Sequence, residues 1–100
     1  MKELPSVSVV IPVLNGGETI GDTLAGLMQQ VRCPRETEII VVDNGSKDQT
    51  RAVVEKFPIT LLTEPKRGPS AARNRGLYTA QGDIVAHLDA DTMPTRRWRR

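Results

Sequence analysis

The residues of this chain best suited to chemistry are carboxylates that follow apolar runs. The stretch Gly82-Asp83-Ile84-Val85-Ala86-His87-Leu88-Asp89-Ala90-Asp91 ends in two of them, one residue apart. Ile84 to Leu88 is apolar except for His87, is too short for a helix, and is bounded by Gly82 on one side and by Thr92 and Pro94 on the other. Such a run fits a parallel strand covered on both faces. Asp89 and Asp91 then stand at its carboxyl end, where open α/β sheets bind their ligands. Carboxylate oxygens there suit a hard divalent cation that shares its remaining positions with water and phosphate. Taken alone, an Asp-x-Asp pair serves equally well to end the strand and cap the next element.

The elements that would position these groups alternate along the chain. Val7-Ser8-Val9-Val10-Ile11-Pro12-Val13 is β-branched and apolar, a first buried strand that Pro12 should end near Ile11. Asn15-Gly16-Gly17 makes the turn. From Glu18 onward Ile20, Leu24, Leu27, Met28 and Val31 share one helical face, and Arg32-Cys33-Pro34 ends a helix that runs to about Gln30. Glu38 to Val42 is a second apolar strand, closed by Asp43 and turned by Asn44-Gly45-Ser46. Ser46 and Gln49 have capping-box spacing for a helix that carries Val53, Val54 and Phe57 inward until Pro58. Ile59 to Thr63 is a third, short strand, followed by the basic loop Glu64-Pro65-Lys66-Arg67-Gly68-Pro69. Ser70 would cap a helix through Tyr78, in which Ala72 and Gly76 lie four apart and permit close approach to the sheet. The order β-α-β-α-β-α-β with short turns specifies an α/β fold, a doubly wound and mostly parallel sheet with right-handed crossovers.

Composition narrows the function classes. One hundred residues make a single domain at most, and 38% hydrophobic with 26% charged is ordinary for a globular chain. No apolar run approaches a membrane span and the N-terminus has no signal-peptide apolar region, so the expected location is cytoplasmic. Cys33 is alone and reads as a packed or surface thiol. A net charge of +2 gives no case for nucleic acid. The run Arg96-Arg97-Trp98-Arg99-Arg100 reads as a solvated helix start or the edge of a truncation, with contact to an anionic membrane surface or phosphate as the minority reading.

Three turns stand at strand carboxyl ends: Pro12 to Gly16, Asp43 to Ser46, and Asp89 to Asp91. They would face one crevice if strands one, two and four are neighbours. Ala72-Arg73-Asn74 lies on the helix entering the last of these strands. A carboxylate there can accept from a nucleobase imide or a ribose and an arginine can pair with phosphate, so their convergence suggests a nucleotide.

With these motifs in order, the chain resembles family 2 glycosyltransferases, GT-A-fold enzymes that transfer sugar from a nucleotide diphosphate sugar. The resemblance runs from Val7 to Pro94. It rests on Val7 to Pro12 with Asn15, on Glu38 to Ser46 with Asp48 and Thr50, on Gly68 with Ala72-Arg73-Asn74 and Gly76, and on Gly82-Asp83 leading to Leu88-Asp89-Ala90-Asp91. It implies that Pro12 and Asn15 line the base and ribose site, that Asp43 contacts the base, that Arg73 helps hold the nucleotide, and that Asp89 lies near the ribose. Asp91, with Asp89, would ligate Mg²⁺ or Mn²⁺ bridging the diphosphate. An imide-reading Asp43 favours a UDP-sugar. Two positions depart from the family pattern: Asn44 stands where many members carry a second Asp, and Lys66-Arg67 precede Gly68 where Asn often stands. The first lowers the negative charge beside the nucleotide; the second reads as a solvated loop or an added phosphate contact.

The family's domain continues past Pro94 with acceptor-binding segments and the acidic general base, and after Asp91 this chain has no acid. Residues 1–100 therefore read as one partial domain, the donor-binding half of an enzyme either cut from a longer chain or encoded by a broken gene. His87 reads as a packed core residue, not a substitute base. A sheet edge rich in Ile84, Val85 and Leu88 would be left unpaired and invite a second copy. Two other readings remain: a nucleotide-binding module without turnover, and a haloacid-dehalogenase-type phosphatase, whose Asp-x-Asp spacing to a later Thr or Val is not met here.

Overall fold

The computed structural model describes residues 6–30 and 37–88. Val31, Cys33, Asp89, Asp91 and the basic run 96–100 lie outside the described residues. Strands and helices alternate as β1 (Val7–Val13), α1 (Ile20–Gln30), β2 (Thr37–Asp43), α2 (Thr50–Val54), β3 (Thr60–Thr63), α3 (Pro69–Thr79) and β4 (Ile84–His87). Every pairing is parallel and the order across the sheet is β3-β2-β1-β4, which makes β2, β1 and β4 neighbours.

The chain steps outward from β1 to β2 to β3, then returns to place β4 on the other side of β1. Because crossovers are right-handed, reversing the direction of travel moves the connecting helix to the opposite face. Helices α1 and α2 accordingly share one face: Val9, Ile11 and Val13 of β1 and Ile39 and Val41 of β2 pack with Ile20, Leu24, Leu27 and Val54. Helix α3 covers the other, where Val10, Ile40 and Val42 pack with Ala72. Successive residues of β1 thus serve two different cores, and this is why the strand reads as an unbroken apolar run.

Several local expectations are corrected. Pro12 does not end β1, which runs on to Val13. Leu88 donates to the Val10 carbonyl and Asn44 to that of Val13, so even-numbered residues of β1 turn their backbone toward β4 and odd-numbered ones toward β2. The N–H that proline lacks would face the β4 side, beyond the last pair Val10↔His87, and no bond to β2 is lost. Helix α2 ends at Val54 rather than Pro58, although Phe57 still packs against the core. Gly68, with φ of 121°, caps α3 and Pro69 opens it, displacing Ser70 from the expected cap. Among the described residues, strand β4 is not covered on both faces. Among the described residues it pairs only with β1, leaving Ile84 49% exposed and His87 exposed, while Leu88 is buried at 7%. Among the described residues no helix is long and apolar enough to cross a membrane.

The contact between α3 and the sheet turns on Gly76. A Cβ there would lie 2.3 Å from Cγ1 of Val10, a fully buried β-branched side chain with no room to yield. Alanine would gain about 1 kcal/mol of helix propensity, but overpacking costs about 1 to 3 kcal/mol. Gly76→Ala should therefore lower the stability by about 1 to 2 kcal/mol in urea denaturation, and adding Val10→Ala should cost less than the two changes summed. A Gly76→Ala chain as stable as the wild type would contradict this close contact.

Candidate functional site

Strands β1 and β2 stay in register to their ends, Val13 opposite Asp43, so the loops that follow them emerge side by side. Asn15 takes the left-handed conformation with φ of 52°, which Asn adopts more readily than most residues. Its Oδ1 accepts from the Lys47 N–H at 2.8 Å, and its own N–H donates to Ser46 Oγ at 2.8 Å. The next two amides are held in the same way: Gly16 N–H donates to Thr50 Oγ1 at 3.0 Å and Gly17 N–H to Asp48 Oδ2 at 3.0 Å. Ser46, Asp48 and Thr50 are thus struts that fix the backbone after β1.

This also corrects the capping box. Ser46 Oγ is engaged 31 residues away in sequence, and Gln49 begins α2 with no side-chain cap bond. Asp48 accepts instead from the Thr50 hydroxyl and from the Thr50 N–H, the latter at 2.9 Å. The Thr50 hydroxyl above all, then the Thr50 N–H, holds its carboxyl below the ordinary 3.8. A lowered value means that the strut contributes fully above pH 3.8 and is lost as pH falls through that lowered value.

Asp43 is 1% exposed. Its Oδ1 accepts from Ser46 N–H at 3.1 Å, and Arg51 Nη1 lies 3.5 Å from Oδ2 while also donating to the Thr63 hydroxyl. Arg51 was not legible as a partner, since the only signal is a cation in the first turn of the helix that follows an acid-terminated strand.

Asn44, 5% exposed, organises the other side of the site. Its N–H donates to the Val13 carbonyl at 2.9 Å. Its Nδ2 donates to the carbonyls of Glu64 and Lys66, each at 2.8 Å, and its Oδ1 accepts from Gly68 N–H at 3.0 Å. Asn44 therefore does more than lower the charge beside β2: an aspartate could not donate to the two carbonyls.

These bonds shape a cleft of about 390 Å³ at the carboxyl ends of β1 and β2, against the first turn of α3, lined among others by Pro12, Leu14, Asn44, Arg67, Gly68 and Arg73. Of the residues to which the resemblance assigns a nucleotide contact, Pro12 and Arg73 line it. Asn15 and Asp43 are not among its lining residues and are tied into the β1 and β2 turns. Neither Arg67 nor Arg73 has an ion pair among the described residues. A second hollow of about 410 Å³ is lined by Glu64, Lys66, Asn74, Arg75 and Tyr78. Its arginine is already neutralised, with Arg75 Nε 3.2 Å from Glu64 Oε1. Among the described residues no three His, Cys, Asp or Glu side chains come together to hold a metal.

The glycosyl transferase family 2 model matches residues 8–99, and the chain belongs to that family. Glycosyltransferase AglE of Haloferax volcanii is 38% identical over 101 residues, covering 95% of this chain and 33% of AglE. Among solved structures, Staphylococcus aureus TarS 1–349 superposes with a TM-score of 0.85 at 31% identity, covering 92% of this chain and 29% of that one. The mannosyltransferase PcManGT of Pyrobaculum calidifontis, solved with GDP-Man and Mn²⁺, also has a TM-score of 0.85, at 35% identity over 92% of this chain and 29% of that one. TarS 1–349 is also known in complex with UDP-GlcNAc. The four-stranded parallel sheet with its interleaved helices is thus the corresponding part of the GT-A fold of these glycosyltransferases. The chain spans a third or less of the length of each of these relatives.

The Asn44 contacts generate a direct test. Asn44→Asp turns two donated bonds into a carboxylate facing two carbonyls, and a buried group left in that state should cost about 2 to 3 kcal/mol. Urea denaturation at neutral pH should read that loss; unchanged stability would mean that the carboxamide does not hold residues 64–68.

Proposed function

We propose that this chain is the donor-binding part of a glycosyltransferase that uses a nucleotide diphosphate sugar, with the nucleotide lying in the cleft between the ends of β1 and β2 and the start of α3. The observation that carries the reading is the cleft itself, where two arginines without ion-pair partners among the described residues meet at the carboxyl ends of parallel strands. That is where an α/β sheet binds ligands. Solved relatives that bind UDP-GlcNAc or GDP-Man with Mn²⁺ support it.

In this reading Pro12 and Asn15 border the base and ribose, and Arg73 pairs with the diphosphate. Asp43 accepts a hydrogen bond from the base imide, a donor that uridine offers. Asp43 is 1% exposed, so this contact requires Gly45 and Ser46, beyond the anchored Asn44, to shift outward when the base enters. A carboxylate has about four acceptor directions, and the bonds to Ser46 and Arg51 leave room for one more donor. Asp89, near the ribose, and Asp91 are the residues that would hold Mg²⁺ or Mn²⁺; two carboxylates one residue apart provide the hard oxygen donors that either ion takes. When bound, the ion supplies positive charge against the leaving diphosphate. The chain's own share of the work is to orient the nucleotide through the strutted loops and to offer guanidinium groups to the phosphates.

Titration calorimetry with UDP and GDP, in Mn²⁺ and in EDTA, tests the reading. Asp91→Asn should weaken nucleotide binding in Mn²⁺ by about 1 to 3 kcal/mol, the scale of a bond to a charged group, and leave binding in EDTA unchanged. Equal affinity of wild type and variant in Mn²⁺ would remove Asp91 as a ligand.

A further inference from the structure

Arg67 is an exposed cation whose backbone neighbours are both fixed by one buried side chain. Asn44 holds the carbonyl of Lys66 at 2.8 Å and the N–H of Gly68 at 3.0 Å, so the residue between them has little freedom to move. Gly68 adopts φ of 121°, a region costly for any residue with a Cβ, and its N–H is spent on Asn44. The outcome is that Arg67 lines the same cleft as Arg73, which lies in the first turns of α3.

The carboxylates at the ends of the two flanking strands, Glu64 after β3 and Asp43 of β2, are committed elsewhere. Glu64 accepts from the Lys66 N–H at 2.9 Å and pairs with Arg75, and Asp43 is engaged by Ser46 and Arg51. Two guanidinium groups are thereby gathered in one cleft with no anion among the described residues to offset them. Like charges held together repel, and a ligand carrying two adjacent anionic groups relieves that repulsion while giving each planar fork its own oxygens.

We propose that Arg67 is a second contact for the diphosphate of the donor, beside Arg73, and that Asn44 is its positioning residue. The inference rests on the donor-binding reading above and adds to it a specific consequence. Part of the affinity for the diphosphate comes from protein cations and persists without a divalent ion.

The full chain is titrated with UDP and GDP, and with uridine and guanosine, in EDTA and in Mg²⁺, followed by NMR so that millimolar nucleoside binding is read. Wild type should bind a diphosphate in EDTA. Arg67→Ala should lose about tenfold or more in diphosphate affinity, with and without metal, and nothing in nucleoside affinity. Arg67→Lys should recover part of the loss as a point charge. Asn44→Ala should weaken diphosphate binding in the wild-type background and have no further effect in Arg67→Ala, an outcome that a merely structural role would not give. Equal diphosphate affinity of Arg67→Ala and wild type, or an equal loss for nucleoside and diphosphate, would overturn the assignment of Arg67 while leaving the donor-binding reading in place. A wild-type chain that binds neither diphosphate would overturn both.

Discussion

The site depends on a buried carboxamide that can donate and accept at once. Asn44 is the first residue after β2, and through its backbone and side chain it joins the end of β1, the loop leaving β3 and the start of α3. Each side-chain bond is worth about 1 kcal/mol net, but the penalty for losing them is larger, because the backbone groups of Glu64, Lys66 and Gly68 would lose their partner in a partly buried setting. The chemistry of the amide also sets its identity: two carbonyls need a donor and one N–H needs an acceptor, and only a side-chain amide of this length meets both demands from one position.

The sequence around β1 and β2 looks like a ligand-binding motif throughout, yet much of it is framework. Ser46, Asp48 and Thr50 take up the three amides of residues 15–17. Arg51 neutralises Asp43 and ties it to the end of β3. Polar residues at a strand's carboxyl end have two tasks, to satisfy a backbone that has left the sheet and to meet a ligand, and residue type does not separate them. In this chain the cleft itself is bordered by Pro12, Leu14, Asn44, Gly68 and two arginines, while the hydroxyls and Asp48 hold the amides of residues 15–17.

The alternation of strands and helices was legible because a buried parallel strand is an apolar run and a helix covering it shows a spacing of three to four. The adjacency of β1, β2 and β4 entered the sequence reading only as a condition, and the observed strand order meets it. The features that escaped the sequence depend on distant partners. Ser46 has the spacing of a cap but bonds to Asn15, and the Gly68-Pro69 pair starts α3 ahead of Ser70. The fate of Pro12 rests on which side of β1 its missing N–H faces, and no local pattern encodes that. His87 sits in an apolar run that reads as buried, but β4 pairs on one side only among the described residues, and edge and centre are not distinguished by composition. Arg67 has the composition of a solvated loop as much as of a ligand contact, and only the hold of Asn44 on both of its neighbours separates the two.

Whether the donor's nucleotide occupies the cleft built by Asn44 is decided by a crystal structure of this chain with UDP or GDP and Mn²⁺. Diphosphate oxygens are expected within hydrogen-bonding distance of Arg73, with the Asn44 carboxamide still bonded to residues 64, 66 and 68. A nucleotide seated instead in the hollow of Glu64, Arg75 and Tyr78, or an Asn44 side chain released from the loop to bind the ligand itself, would contradict that placement.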